Sequence, residues 1–299
     1  VEVGVLKNVY REMKKVRQLV PRPCLKLFSY FEIKGHLVMV CELLGSSLYD
    51  VLRQNSHRGF PLSVCINVGA QIVRAVQFLH EKCNIIHTDL KLENIVFTHR
   101  ANDVTYTCDY LNNDTGRSGV DTFVMPGQWE IKLIDLGGGT VASGKTRDRI
   151  INTRQYRCPE VILKLGWEKP SDMWSVGCIL AEMYTGDLLF GTHDNIEHLA
   201  LMEKVLCDTF HCSMLGHKEA IAIMDEDRGR ERMVLRADRG GSLETFEDYS
   251  YTVCTSELSS SSLKYVEERP TLDGLFRRVR VVDQQRERPT KSYQELCRS

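Results

Sequence analysis

The sequence predicts an α+β fold in two unequal parts, a short β-rich stretch followed by a mainly helical remainder. Three observations carry this reading. Two runs rich in β-branched and aromatic residues, 25–31 and 36–42, lie close together near the start. Apolar residues at helical spacing then dominate 61–80, 170–186 and 195–206. Between the first two helical stretches, His87-Thr88-Asp89-Leu90-Lys91-Leu92-Glu93-Asn94 and Asp135-Leu136-Gly137 each sit beside a short apolar run of strand type.

Taken in order, residues 2–20 read as a helix with Val5, Val9, Met13 and Val16 on its apolar side. The runs 25–31 and 36–42 read as strands, and Leu43-Leu44-Gly45 as a hinge. From Pro61 to His80, one helical face collects Ile66, Gly69, Ile72, Val73, Val76 and Leu79, and this helix delivers the chain to His87. Short strands flank Asn94 and Asp135. The polar stretch 98–129 between them, rich in Asn, Asp, Gly and Thr, is an insertion: an elaborated hairpin or a disordered loop.

Pro170 opens the next helix with Ser171 or Asp172 as its cap, and Gly186 stops it. Val176, Cys178, Ile179, Leu180 and Met183 make it apolar nearly all round, as expected of a buried central helix. Another helix covers about 195–206. Residues 207–262 lose periodicity, turn polar and end in four serines, which predicts a flexible excursion. The tail from Tyr265 holds a short helix and the Arg288-Pro-Thr turn. There are no internal repeats.

With 42% hydrophobic and 26% charged residues, composition is that of an ordinary globular chain. A formal net charge of -1 gives no overall attraction to nucleic acid or to an anionic membrane. The eleven cysteines are scattered through apolar runs without C-x-x-C spacing, which favours a reduced intracellular protein over a disulfide framework. Asn113-Asp-Thr115 fits a glycosylation acceptor at the frequency chance allows. No stretch reaches the roughly 20 apolar residues that a spanning helix needs, and no signal peptide is visible.

The two motifs define a phosphoryl-transfer half-site. In H-x-D-x-x-x-x-N the carboxylate of Asp89 orients an attacking hydroxyl and accepts its proton, while Lys91 neutralises the transferred phosphoryl group. Asn94 and Asp135 offer oxygen ligands of the kind hard Mg²⁺ prefers.

These motifs, with Cys158-Pro159-Glu160 and Asp172-x-Trp174, resemble the eukaryotic protein kinase fold. Thr153-Arg-Gln-Tyr-Arg-Cys-Pro-Glu-Val-Ile-Leu, Leu165-Gly-Trp and Glu197-His-Leu-Ala-Leu-Met-Glu-Lys204 narrow the resemblance to the LAMMER (Cdc-like) dual-specificity kinases. Thr88 and the last of these runs argue against the related Tyr-regulated group. The resemblance implies a partial N-lobe over 1–44 and a C-lobe over 45–299 with insertions at 98–129 and 207–262. It implies an N-terminally truncated domain that uses ATP and Mg²⁺.

It also assigns roles. Glu2 resembles the helix glutamate that pairs with the ATP-binding lysine. Cys41 stands as gatekeeper, the backbone of Glu42 and Leu44 meets adenine, and Val96 lies beneath the ring. Leu6, His87 and Leu136 form a packing column. Thr153 touches Asp89 and Lys91, and Glu160 pairs with an arginine near Arg288. Thr88 stands where many kinases use an arginine to grip an activation-loop phosphate. With the short loop 138–157, this predicts that Thr140→Ala and Thr146→Ala leave activity nearly intact. Arg147, Arg149, Arg154 and Arg157 are expected to be mostly ion-pair and loop-ordering residues, and the 197–204 run to pack against the lobe.

By the same resemblance the substrates are proteins, Arg/Ser-rich splicing factors, with no direct nucleic acid and no membrane. The protein is expected to be a monomer in the nucleus, with the cytoplasm as a second location. The sequence contains no G-x-G-x-x-G loop and no V-A-x-K strand. Little phosphate transfer is therefore expected from this polypeptide alone, and a non-catalytic scaffold is the alternative reading.

Overall fold

The structure is a computed structural model that describes residues 2–15, 22–98, 103–111, 118–143 and 149–206. Helix α1 (Glu2–Lys15) buries Val5, Leu6, Val9 and Met13, the spacing expected of its apolar side. Val16 and the predicted continuation to residue 20 lie outside the described residues. Strands β1 (Leu27–Ile33) and β2 (His36–Cys41) pair antiparallel, with Ile33 opposite His36. Their two-residue turn, Lys34-Gly35, has positive φ at both positions, 50° and 78°, which matches the twist of a tight hairpin.

Helix α2 (Leu48–Gln54) begins in a capping box: Ser47 Oγ accepts the Asp50 N–H at 3.0 Å, and Asp50 accepts the Ser47 N–H at 3.1 Å. Helix α3 (Leu62–Gln77) runs on through a π turn over Phe78–Cys83 and ends at Asn84 in the left-handed region. Its buried side is Val64, Cys65, Val68, Gly69, Ile72, Val73, Ala75 and Val76. Ile66, expected on that face, is only half-buried. The reason is the close approach at Gly69, where an added Cβ would stand 2.7 Å from Leu180 Cδ2. That contact centres the face on Gly69 and moves Ile66 to its margin.

The expectation that no stretch reaches spanning length is corrected here. Leu62–Cys83 is a continuous 22-residue helix, long and apolar enough by length and composition to cross a membrane. It is packed against the central helix and against the strand that precedes Asp135.

The remaining strands form small antiparallel pairs: β3 (Ile85–Ile86) with β8 (Thr140–Val141), and β4 (Ile95–Phe97) with β7 (Ile131–Leu133). Inserted between β4 and β7 is a long hairpin, β5 (Asp103–Leu111) with β6 (Ser118–Pro126), which decides the insertion in favour of a hairpin. The side-chain amide of Asn55 docks it on α2, donating to Val124 O and accepting from Val124 N, both at 2.8 Å.

Helices α4 (Pro159–Ile162), α5 (Pro170–Thr185) and α6 (Asn195–Leu206) complete the larger part. Every residue of α5 from Ser171 to Met183 is buried, as its all-round apolarity predicts. Neither Ser171 nor Asp172 caps it; Lys169 holds the cap position, Ser171 Oγ donates to Glu168 O, and Asp172 is spent elsewhere. Gly186 ends the helix at φ +88°, where a Cβ would fall 1.9 Å from His57 O. In α6 the buried residues include His198, Leu199 and Met202, so the 197–204 run packs inward as expected. Among the described cysteines, six are free thiols. Burial pushes Cys65 and Cys83 up to about 12, which leaves them protonated and unreactive.

Candidate active site

A buried carboxylate holds the loop that bears Asp89. Asp172, fully enclosed in α5, accepts the His87 N–H at 2.7 Å and the Thr88 N–H at 3.0 Å. His80 Nε2 lies 2.8 Å from the same carboxylate. Burial raises the Asp172 pKa, but the hydrogen bonds from His80 and the His87 backbone outweigh it and hold the group below the usual carboxylate range.

The His87 ring joins this loop to the strand leading to Asp135. Its Nδ1 accepts the Asp89 N–H at 3.3 Å and its Nε2 lies 3.0 Å from Ile134 O. An acceptor at Nδ1 requires the proton on Nε2, so Nε2–H donates to the carbonyl. Leu6, His87 and Leu136, the expected packing column, are all buried.

Asp89 is half-buried and ringed by donors. Its Oδ1 accepts the Thr153 hydroxyl at 2.7 Å and the Thr153 N–H at 3.0 Å, and its Oδ2 lies 3.0 Å from Lys91 Nζ. Lys91 Nζ also donates to Thr153 Oγ1 at 3.3 Å. Burial works against ionisation of Asp89, yet Thr153 and Lys91 together carry its pKa below the usual range. The three residues predicted to act together therefore touch one another.

Asn94 Nδ2 donates to Asp89 O at 2.8 Å, and Asn94 O accepts the Ile134 N–H at 3.0 Å. The second bond sets Asp135 one residue beyond Asn94. Asp135 is exposed and held at φ +57°, and Thr88 and Asn152 are also left-handed, at 71° and 61°. Three such conformations in non-glycine residues cluster around this one loop. No group of three or more His, Cys, Asp or Glu side chains forms a metal cluster among the described residues. The pair of oxygen donors from Asn94 and Asp135 nevertheless fits Mg²⁺, which binds through one or two protein ligands and completes its shell with water and phosphate.

Beside these residues lies an open cleft of about 590 Å³, lined by Leu25, Cys41, Glu42, Leu44, Val96 and Asp135 among others. The structure thus brings Cys41, Glu42, Leu44 and Val96 to one cavity with Asp135. Glu2 opens α1, but its side chain lies outside the described residues.

The strand of the 138–157 loop that is described is tied down without charge from Thr88's position. Gly138 O accepts Thr88 Oγ1 at 3.0 Å, Thr140 Oγ1 at 3.1 Å and Arg149 Nη2 at 3.3 Å. Arg157 donates to Ile151 O and Asn152 O, and Arg154 to Asn195 Oδ1, the loop-ordering use expected of them. Arg147, Thr146 and the Arg288 region lie outside the described residues.

Sequence reasoning missed the buried polar chain beneath the site. Asn152 N donates to Thr88 O, Asn152 Nδ2 to Ser175 Oγ, and Ser175 Oγ to Tyr156 O. Tyr156 in turn donates to Glu182 at 2.6 Å. The signal was available: polar residues in a helix buried all round must find partners, and Asp172, Ser175 and Glu182 are such residues.

Comparisons with known proteins identify the family. A profile described as protein kinase domain matches residues 2–228. The serine/threonine-protein kinase AFC2 of Arabidopsis thaliana is 44% identical over 183 residues, covering 61% of this chain and 42% of that one. The serine/threonine-protein kinase Doa of Drosophila melanogaster is 40% identical, covering 68% of this chain and 24% of that one. The human dual specificity protein kinase CLK2 is 38% identical over 205 residues, covering 69% and 38%. The chain therefore spans less than half the length of these relatives. A crystal structure of a kinase domain superposes with a TM-score of 0.74 at 30% identity, covering 92% of this chain and 83% of that one.

Proposed function

Because this chain belongs to the protein kinase family, with its relatives in the LAMMER (Cdc-like) group, we propose that it carries the catalytic half of an ATP- and Mg²⁺-dependent protein kinase. It acts on serine and threonine with dual specificity, and its substrates are Arg/Ser-rich splicing factors in the nucleus. The observation that carries the reading is the Asp89 carboxylate, held by Thr153 and Lys91 on a loop that Asn94 ties to Ile134 in the cleft wall.

Asp89, kept ionised by its donors, orients the substrate hydroxyl and takes its proton as the oxygen attacks. Thr153 fixes which oxygen of Asp89 faces the substrate, since it occupies Oδ1 twice. Lys91 stands 3.0 Å from Oδ2, placed to balance charge on the group in transit. Asn94 and Asp135 would hold Mg²⁺, which when bound neutralises charge on the phosphate oxygens.

Support for the substrate class and location comes from the resemblance to the LAMMER group alone. The test is phosphate transfer from Mg²⁺-ATP to an Arg/Ser-rich peptide. It is run on the 299-residue polypeptide and on the same chain with whatever coding sequence lies upstream of Val1. Transfer in the longer form, lost in Asp89→Asn, is the expected result. No transfer in either form supports the scaffold instead.

A further inference from the structure

Lys132 is the one lysine buried among the described residues, at 8% exposure, and it lies between two core residues of β7. Its register partner across the ladder is Val96. Opposed residues of an antiparallel pair point to the same side, so Lys132 runs along the floor that Val96 lends to the cleft. Its ammonium meets both carboxylate oxygens of Glu42 at 2.6 Å. Glu42 Oε1 also accepts the Lys26 N–H at 2.7 Å, and the Glu42 N–H donates to Lys26 O at 3.0 Å.

The segment between them is clamped on its other edge as well. Leu133 N donates to Pro23 O at 2.8 Å and Leu25 N to Leu133 O at 3.0 Å. Three short stretches, 23–26, the end of β2 and β7, are thereby laced into one unit. One end of that unit is Glu42 and the other leads directly to Asp135.

We infer that the Glu42–Lys132 pair is a positioning device for the nucleotide. It sets the spacing between the rim at Cys41–Leu44 and the rim at Ile134–Asp135, and it keeps the Glu42 carboxylate turned away from an anionic ligand. This rests on the kinase reading for the identity of the ligand, but not for the coupling between the rims. Neither residue touches the reacting atoms. Loss of Lys132 alone frees an uncompensated carboxylate at the cleft wall, so it is more damaging than loss of both charges.

The experiment compares wild type, Lys132→Arg, Lys132→Met and the double variant Glu42→Gln/Lys132→Met. ADP binding is measured by titration calorimetry, and backbone amide exchange by mass spectrometry without ligand. Expected in Lys132→Met is a Kd raised about tenfold or more, the scale of a misplaced ligand group. Recovery is expected to be near full in Lys132→Arg and partial in the double variant. Exchange rises together at 42–45 and 134–136 in Lys132→Met, while α5 and α6 stay protected. An unchanged Kd in a folded Lys132→Met, or exchange that rises only within β7 or evenly through the molecule, overturns the inference. If wild type binds no ADP, the nucleotide-positioning role falls, and the exchange pattern alone still decides the coupling between the rims.

Discussion

The two sides of the cleft are built to different standards. On the side of β1 and β2, a two-stranded hairpin leaves Phe28 56%, Ile33 52% and Leu37 55% exposed. On the side of Asp89, the supporting groups are enclosed: Asp172 and Ser175 are at 0% exposure, each with several hydrogen bonds. The Asp89 loop is over-determined by buried polar contacts, while the opposite rim rests on one exposed hairpin, one ion pair and the few backbone bonds that lace 23–26 to β7 and Glu42. Damage to the buried supports on the first side should therefore cost stability and chemistry together, and damage on the second chiefly affinity.

The largest effect expected is Asp172→Ala, which strands two backbone N–H groups and His80 in the core. It should lower unfolding free energy by about 3–5 kcal/mol, read by urea denaturation. A loss no larger than that of a surface substitution would erase the contrast between the two sides. Next is Asp89→Asn, which keeps the shape and the Thr153 contact but removes the base. In a form that transfers phosphate, the rate should fall about 10²- to 10⁴-fold, with stability changed by no more than about 1 kcal/mol.

The third expectation concerns pH. Burial, partly opposed by the Tyr156 hydroxyl, raises Glu182 from 4.5 to about 7. The folded state then holds a proton that the unfolded state has lost between these values, so this group's contribution is full below about 4.5 and lost as pH rises to about 7. Burial lowers His198 from 6.5 to about 3, and that contribution grows as pH rises over its own window. The two oppose each other, so the Glu182 effect is read as the difference between wild type and Glu182→Gln in urea midpoints at pH 5 and pH 7.5. The variant should lose the downward slope; identical slopes would place Glu182 outside the buried network. The smallest effect expected is Ser47→Ala, at about 1 kcal/mol for a lost helix cap beside the cleft, measured by the same melt.

Much of this was readable in advance where one residue pattern has one physical solution. Val5, Val9 and Met13 could only form a helix face, and Gly186 could only end a helix that needed a left-handed residue. The order of Asp89, Asn94 and Asp135 pointed to residues that the fold does bring together around one loop. Less was readable where the partner is distant in sequence. Nothing local in Pro170-Ser-Asp tells that Asp172 spends its oxygens on His87 and Thr88, 85 and 84 residues earlier, and not on its own helix. Likewise Ile66 fits the helical period, and only the approach of Leu180 to Gly69 decides that it sits at the margin. At Glu42 the sequence motif speaks only for the backbone, whereas the side chain carries the contact to Lys132.

Phe97 and Ile131, which bracket the long hairpin, are register partners in the β4–β7 ladder. The hairpin between them is therefore entered and left through one doorway a single strand-spacing wide. Length there is nearly free to vary over evolutionary time, because closing a longer loop at a fixed doorway costs little more than closing a short one. The same doorway is a natural port for an engineered label: a small fluorescent module placed between Leu111 and Ser118 would report on the protein while leaving Asn94, just before β4, and Asp135, just after β7, where they are.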